Sequence, residues 1–504
     1  MGENQTAAPL EYNNERLLDN VRPDRRTNPK AGDKYHLVVI GAGTAGLVSA
    51  VIGSSLGART ALVERNRLGG DCLNWGCVPS KALIRSARAA YEAGLMKSFG
   101  IHTEKTEVDF SAVMERVRGI RADISSNDSV KRLESLGVDV FFGNASFSGP
   151  DRVDVEGQTL HFRRAVIATG ARPVIPPVEG LKQAGCLTNE KVFDLTHQPE
   201  HLVILGAGPI GCEMAQAFRR LGSRVSIIER GERILSKENP EVSRLLQEVF
   251  EREGIEILTG TRLKSVKENE GEKQLILETQ KGEEQLVADE ILVGAGRTPN
   301  VPDMGLEKAG VEFDPRKGIQ VDDYFQTTNR GIFAAGDVCL KYKFTHTAEA
   351  SASAIIQNAF FFGRRKKSAW TIPWCTYTDP EVAHTGLSED EIKKRGIQHQ
   401  VIVQPLEEVD RARTDGEAEG FLRLLVGKRG RILGATLVSR HAGESISEIT
   451  LAIEAGVSVK QIMNVIHPYP TQAEVIKKAA VQWNQQRVTP RVRKLFDWWF
   501  GILS

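Results

Sequence analysis

One pattern in this chain admits very few folds, because it occurs twice. Leu37 to Ile40 is apolar and runs into Gly41-Ala42-Gly43-Thr44-Ala45-Gly46, then a helical pattern to Leu56, then a second apolar run, Thr60 to Val63, ending at Glu64. Leu202 to Leu205 runs into Gly206-Ala207-Gly208-Pro209-Ile210-Gly211, a helical pattern, and Val225 to Ile228 ending at Glu229. The copies align at one constant offset: Leu56-Gly57-x-Arg59 matches Leu221-Gly222-x-Arg224, and Glu64-Arg65 matches Glu229-Arg230. Strand, glycine turn, helix and a strand ending in an acid make the βαβ unit that binds dinucleotides. The glycines let the backbone turn tightly and approach a pyrophosphate, which rests on the helix N-terminus, while the acid grips ribose hydroxyls. Gly41, Gly43, Gly46 and Glu64 are thus candidates for one dinucleotide, and Gly206, Gly208, Gly211 and Glu229 for a second. Copies this far apart predict two nucleotide domains of α/β type, not a solenoid.

The remaining chain falls into place around these units. Ala165 to Ala168 leads into Thr169-Gly170 and a proline-rich link, and Ile291 to Val293 leads into Gly294-Ala295-Gly296. Both read as closing strands of the two nucleotide domains, with strands and charged turns over 255–288 between them. Gly331 to Val338 reads as a buried strand ending in Gly336-Asp337, where backbone can meet phosphate and Asp337 can accept from ribityl hydroxyls. A helix is expected from about Thr347 to Phe361, and this region is expected to return to the first domain. From Trp370 a new unit begins, with alternating strands and two or three helices.

Cys72 and Cys77 stand in Leu68-Gly-Gly-Asp-Cys-Leu-Asn-Trp-Gly-Cys-Val-Pro-Ser-Lys-Ala-Leu-Ile84. Pro79 suits the first turn of a helix, so one is expected to start near Val78 to Pro79. Cys77 then lies against a helix N-terminus, which favours a thiolate. In a straight helix, residues five apart are separated by roughly 7.5 Å of rise, beyond the usual disulfide limit of about 7 Å. Cys72 is therefore expected on a loop that folds back, with Asn74 and Gly76 permitting its dihedrals. Two unpaired cysteines, a zinc site lacking its other ligands, and a redox pair all fit the spacing. Beside two dinucleotide sites, the pair implies an electron path from nicotinamide through flavin to a disulfide.

Near the end, Thr471-x-x-Glu474 is a capping-box pattern opening a helix, and His467 stands in the turn before it. The tail from Arg487 is basic (Arg491, Arg493, Lys494), then aromatic (Phe496, Trp498, Trp499, Phe500). It reads first as a helix docked on its own dimer, and second as an interfacial helix in weak membrane contact. Residues 1–34 read as a polar, flexible surface extension with a short helix over Glu11 to Val21. The net charge of +1 gives no sign of bulk attraction to nucleic acid or to acidic membranes. The six cysteines, scattered apart from one pair, are no disulfide scaffold. A polar N-terminus without an apolar core segment, and no apolar run near the roughly 20 residues of a membrane span, give a cytoplasmic expectation.

From about residue 35 to 485 the chain resembles the class I pyridine nucleotide–disulfide oxidoreductases, which include dihydrolipoamide dehydrogenase, glutathione reductase and mercuric reductase. Gly69-Gly70-x-Cys72-Leu73-Asn74-x-Gly76-Cys77-Val78-Pro79-Ser80-Lys81 and Ala334-x-Gly336-Asp337 carry the resemblance. Pro468-Tyr469-x-Thr471-x-x-Glu474 is most similar to the mercuric-reductase-like branch. The resemblance implies an FAD-binding domain in two pieces (35–185 and 306–369), an NAD(P)H-binding domain (186–305) and an α+β dimerisation domain (370–485), with a tail (486–504). It implies a homodimer with one FAD per subunit, reduced by NADH or NADPH. Cys77 would be the thiolate facing flavin and Cys72 the thiol meeting substrate. Lys81 would sit near the flavin, paired with Glu213. Gly70, Thr169, Gly170, Gly296, Gly336 and Asp337 would join the fingerprints in holding the cofactors. His467, supplied by the other subunit, would be the acid–base.

Three departures stand out. Mercuric reductases usually carry a C-terminal cysteine pair and an N-terminal Cys-x-x-Cys module, whereas the last cysteine here is Cys375. They generally lack the histidine that His467 supplies. Disulfide-reducing relatives place a glutamate five residues after that histidine, where this chain has Gln472, with Glu474 two further on. Glu229 favours NADH by repelling a 2′-phosphate, though Arg230 and Arg233 stand near. The oxidant is thus expected to be a small molecule or a metal ion: first, in the mercuric-reductase-like reading, a disulfide or a thiol-bound metal ion; in the alternative, dihydrolipoamide-dehydrogenase-like reading, a disulfide reduced with the help of His467. A membrane-attached redox partner is the alternative from another class.

Overall fold

In the computed structural model, both fingerprints lie where parallel strands hand over to helices. The structure describes residues 9–102, 107–269, 271–361, 363–487 and 490–503. Residues 1–8 of the extension and 488–489 and 504 of the tail lie outside the described residues. The chain divides into two units, one of residues 1–236 and 250–370, the other of 237–249 and 371–504.

In the first unit, the parallel order is Val138–Phe142, Thr60–Glu64, Tyr35–Ile40 and Gln158–Ile167. Every residue of Thr60–Glu64 is buried, the continuous apolar run expected of a strand covered on both faces. Gln158–Ile167 is long enough to serve two partners. Its first half pairs antiparallel with Arg152–Val155, and its last residues pair parallel with Ile332–Ala334. The strand expected to close the first domain is therefore internal, and the segment returning near residue 332 pairs at its upper edge. The second fingerprint belongs to a four-stranded parallel sheet ordered Ile255–Leu258, Arg224–Ile228, His201–Leu205, Glu290–Val293. An antiparallel meander, Arg262–Asn269, Glu272–Thr279 and Gly282–Ala288, forms a separate sheet. Ala171–Pro173 pairs with Arg297–Pro299, joining the chain exits of the two sheets.

The extension is not a flexible surface segment over its described part. Helix Pro9–Val21 places Leu17 and Val21 in the first core, each worth about 2 kcal/mol. Its polar face is bonded as well: Asn20 Nδ2 donates to Ser125 Oγ at 2.9 Å and Arg16 pairs with Asp123 at 2.5 Å. Arg22 beyond it donates to the carbonyls of Arg65 and Asn66 at 2.9 and 2.8 Å. The sequence reading failed here because the two anchoring residues stand among polar ones.

The second unit holds a five-stranded antiparallel sheet ordered Trp374–Thr376, Glu381–Gly386, Ile432–Ser439, Phe421–Val426, Gln400–Pro405. Helices Ala442–Glu454 and Glu474–Gln485 pack on it through Ile446, Ile449, Val475 and Ile476. The expected two or three helices are joined by short ones at Glu389–Lys394, Asp410–Thr414 and Val459–Asn464. Among the described residues no helix is long and apolar enough to cross a membrane.

Candidate active site

Both glycine turns work by steric exclusion. A Cβ on Gly46 would stand 1.8 Å from the Gly41 carbonyl oxygen, and one on Gly211 would stand 2.0 Å from that of Gly206. Only glycine lets helices Thr44–Ser55 and Pro209–Leu221 start this close to their strands, with Gly43 and Gly208 as N-caps. The two acids repeat one geometry. Glu64 accepts from Ala42 N and Asn66 N, both at 2.7 Å; Glu229 accepts from Ala207 N at 2.8 Å and Gly231 N at 2.7 Å. Burial pushes the Glu64 carboxyl up against those donors. Helix N-termini bare of side chains, with a fixed acceptor at each neighbouring strand end, form the donor and acceptor set that a dinucleotide requires.

The cysteine segment is laid onto the first turn. Gly69 N donates to Ala42 O at 2.9 Å, and a Cβ on Gly70, at φ +54°, would meet Gly43 Cα at 2.6 Å. Cys72 lies in a short helix, Gly70–Asn74, and not on an open loop. The buried Asn74 amide holds that turn by donating to the carbonyls of Leu68 and Gly70, both at 2.9 Å. Arg121, fully buried, donates to Asn74 O at 3.0 Å and to Asn14 Oδ1 of the extension at 3.2 Å. The break at Trp75-Gly76 lets a second helix, Cys77–Leu95, begin on Cys77 itself, one residue before the expected start.

Cys72 and Cys77 are free thiols in this structure, and they are electrically unequal. A hydrogen bond from Cys72 holds the Cys77 thiol down to about 6, with help from Thr345 and the Lys81 charge. Thr345 Oγ1 lies 3.2 Å from Cys77 Sγ. That bond and burial push Cys72 up instead. Thr345 begins the helix Thr345–Phe360 and carries no sequence signal linking it to the cysteines. Alkylation by iodoacetamide checks this inequality. Cys77 is expected to react with a midpoint near pH 6, slowing about tenfold per unit below it, with Cys72 protected. A Cys77 rate still rising toward pH 9 contradicts it.

Lys81, one turn along, meets Glu213 of the second fingerprint helix at 2.9 Å. The Glu213 side chain is only 6 % exposed, so the ion pair is one-sided, with Lys81 keeping access to solvent. Asp337 follows strand Ile332–Ala334, its carboxyl pushed up by burial and opposed by Arg297, 3.9 Å away. Arg297 also pairs with Asp71 at 3.1 Å, tying this corner to the cysteine segment. A Cβ on Gly336 would stand 3.4 Å from Ala45 Cβ, so Gly336-Asp337 lies beside the first fingerprint. Thr169 and Gly170 border it too. A Cβ on Gly41 would come within 3.0 Å of Thr169 Cα, and both residues bond Asn300. Gly296 stands past the second sheet, accepting from Val174 N at 3.0 Å.

In the second unit, His467 Nε2 lies 2.9 Å from Glu448 Oε1 on helix Ala442–Glu454, and Nδ1 lies 3.2 Å from the Val465 carbonyl. The carboxylate at this histidine is thus Glu448, which the sequence reading missed, and not Glu474. The expected capping box is also absent: Thr471 Oγ1 turns back to Pro468 O, and the Glu474 carboxylate keeps a buried oxygen without a partner among the described residues. Gln472 donates to Glu417 at 2.6 Å. Nineteen residues separate Glu448 from His467 along the chain, with no local motif to join them.

Known proteins resemble this chain over most of its length. The family model for pyridine nucleotide-disulphide oxidoreductase matches residues 35–352, and its dimerisation domain matches 372–480. A mercuric reductase from Streptomyces lividans is 35 % identical, over 92 % of this chain and 98 % of its own length. A dihydrolipoyl dehydrogenase from Thermus scotoductus is 34 % identical, over 90 % and 98 %. Among solved structures, the HOCl-induced flavoprotein disulfide reductase RclA of Escherichia coli, as its Cu(II) complex, is similar with a TM-score of 0.79 at 26 % identity, over 88 % of this chain and 98 % of that one. Two nucleotide turns, a cysteine pair laid on the first of them, and these matches across both units agree: the chain belongs to the pyridine nucleotide-disulphide oxidoreductase family, enzymes that use FAD and NAD(P)H.

Proposed function

We propose that the protein is a homodimeric NADH-dependent reductase of small disulfides. The observation that carries this reading is the His467–Glu448 pair at 2.9 Å, an acid–base unit that reduction of a bound metal ion does not require. FAD, when bound, supplies the passage of two electrons from the nicotinamide to a Cys72–Cys77 disulfide, leaving the dithiol. The first fingerprint, Glu64 and Asp337 would hold it; the second fingerprint would hold the nicotinamide dinucleotide, with Glu229 accepting from a free ribose 2′-hydroxyl.

The protein's own part is then sulfur and proton exchange. His467 of the partner subunit takes the proton of Cys72 as its sulfur attacks the substrate disulfide. The departing substrate sulfur takes that proton. The Cys77 thiolate, its proton given up to solvent, next attacks Cys72 Sγ; the disulfide is restored and the second substrate sulfur leaves as a thiol with a proton taken from solvent. Glu448 steadies the imidazole, and Lys81 supplies positive charge beside Cys77. One NADH and one proton convert one disulfide to two thiols.

A second reading, reduction of thiol-bound Hg(II), is favoured by the relatives named mercuric reductase and by the affinity of thiolates for soft ions. Purified holoenzyme assayed with NADH and NADPH against lipoamide, glutathione disulfide and Hg(II) separates the two. Turnover of a disulfide with NADH is expected. Hg(II)-dependent oxidation with both disulfides untouched overturns the first reading in favour of the second.

A further inference from the structure

The last helix, Pro490–Leu503, carries an apolar surface that the fold leaves in solvent. Leu495, Phe496, Trp498, Trp499, Phe500 and Leu503 are each between 47 % and 65 % exposed. At about 100° per residue they occupy one arc of roughly 200°, while Arg493, Lys494 and Asp497 fall on the complementary side. The Phe496 and Phe500 rings stand 6.4 Å apart, one turn from each other on the same face. Contiguous aromatic surface of this kind marks a contact surface.

Charge decides what covers it. From Arg487 onward the sequence holds Arg487, Arg491, Arg493 and Lys494 against the single acid Asp497. The whole chain is close to neutral, at +1, so this end is a local cationic excess. A second copy seated on the aromatic face would leave Arg493 and Lys494 in solvent and draw nothing from their charge. The matched dimerisation domain also ends at residue 480, before this helix begins. An anionic lipid surface complements both properties. Tryptophan rings sit at the headgroup level, and basic residues meet the negative charge. Fourteen residues give about 21 Å of helix, short of the ~30 Å hydrocarbon core, so the helix lies in the interface plane and does not cross it.

We propose that this helix docks the enzyme on anionic bilayers, aromatic face toward the acyl chains and Arg493 and Lys494 among the headgroups. The test is flotation of full-length holoenzyme with vesicles of phosphatidylcholine alone or mixed with phosphatidylglycerol. Flotation is expected with the anionic vesicles at about tenfold or greater preference, lost at high salt, with a blue shift of tryptophan emission. Trp498→Ala with Trp499→Ala is expected to abolish flotation, and Arg493→Gln with Lys494→Gln to erase the anionic preference, both with reductase activity unchanged. Full-length protein that stays at the bottom with both vesicles overturns the proposal. So does a tryptophan variant that floats like the parent. A variant that changes the oligomeric mass, in a protein that binds no vesicles, makes the face a contact between chains and also overturns it.

Discussion

Cys77→Ser is expected to lower disulfide reduction by at least about three orders of magnitude in kcat/KM, because the step that restores the Cys72–Cys77 disulfide has lost its nucleophile. NADH oxidation by ferricyanide, which needs no thiol, is expected to continue, showing that the cofactor sites are intact. Cys72→Ser is expected to cost as much turnover and yet leave a different thiol. A serine hydroxyl still donates to Cys77 Sγ, and Lys81 and Thr345 are unchanged, so Cys77 keeps most of its thiolate character at neutral pH. Alkylation of Cys77 in that variant should therefore remain fast at pH 7. If Cys72→Ser leaves disulfide turnover intact, the order of attack assigned to the two sulfurs is wrong.

His467→Gln is expected to lower kcat by about 10² to 10⁴, the usual range for loss of a positioned acid–base group. The more informative comparison is between two carboxylates. Glu448→Gln keeps a hydrogen-bonding group at 2.9 Å from the imidazole but removes its charge. It is expected to cost about tenfold in kcat, because the imidazole loses the charged partner that orients it. Glu474→Gln is expected to leave the rate within about twofold, since among the described residues no hydrogen bond joins Glu474 to His467. The reverse outcome, a collapse with Glu474→Gln and none with Glu448→Gln, removes Glu448 from its role as positioning residue.

What could be read directly from the residues was whatever local sterics or strict patterning enforces. Gly46 and Gly211 are legible because a single methyl group at either position collides with backbone. Glu64 and Glu229 are legible because they end strands that begin at a fixed distance from those turns. The Lys81–Glu213 pair followed from family resemblance, since no local rule joins a helix after one turn to a helix after the other. Glu448 escaped because the contact to His467 is made by packing between a helix and a turn. The capping box at Thr471 failed because the helix starts at Glu474 with Ala473 as its N-cap, which leaves Thr471 two residues short of the cap position. The docked extension escaped because Leu17 and Val21 do their work against partners far along the chain. Distance along one straight helix points to a loop at Cys72. A short helix and a 19-residue one, broken at Trp75-Gly76, satisfy the same constraint.

The most direct measurement is an anaerobic reductive titration of the oxidised holoenzyme with dithionite, followed by flavin absorbance and by free-thiol count. Two two-electron acceptors per chain are expected, the flavin and the Cys72–Cys77 disulfide, with two new thiols appearing and only one acceptor left in Cys72→Ser. A wild-type protein that is fully reduced by a single two-electron equivalent, with no thiols released, contradicts transfer of electrons from flavin to this cysteine pair.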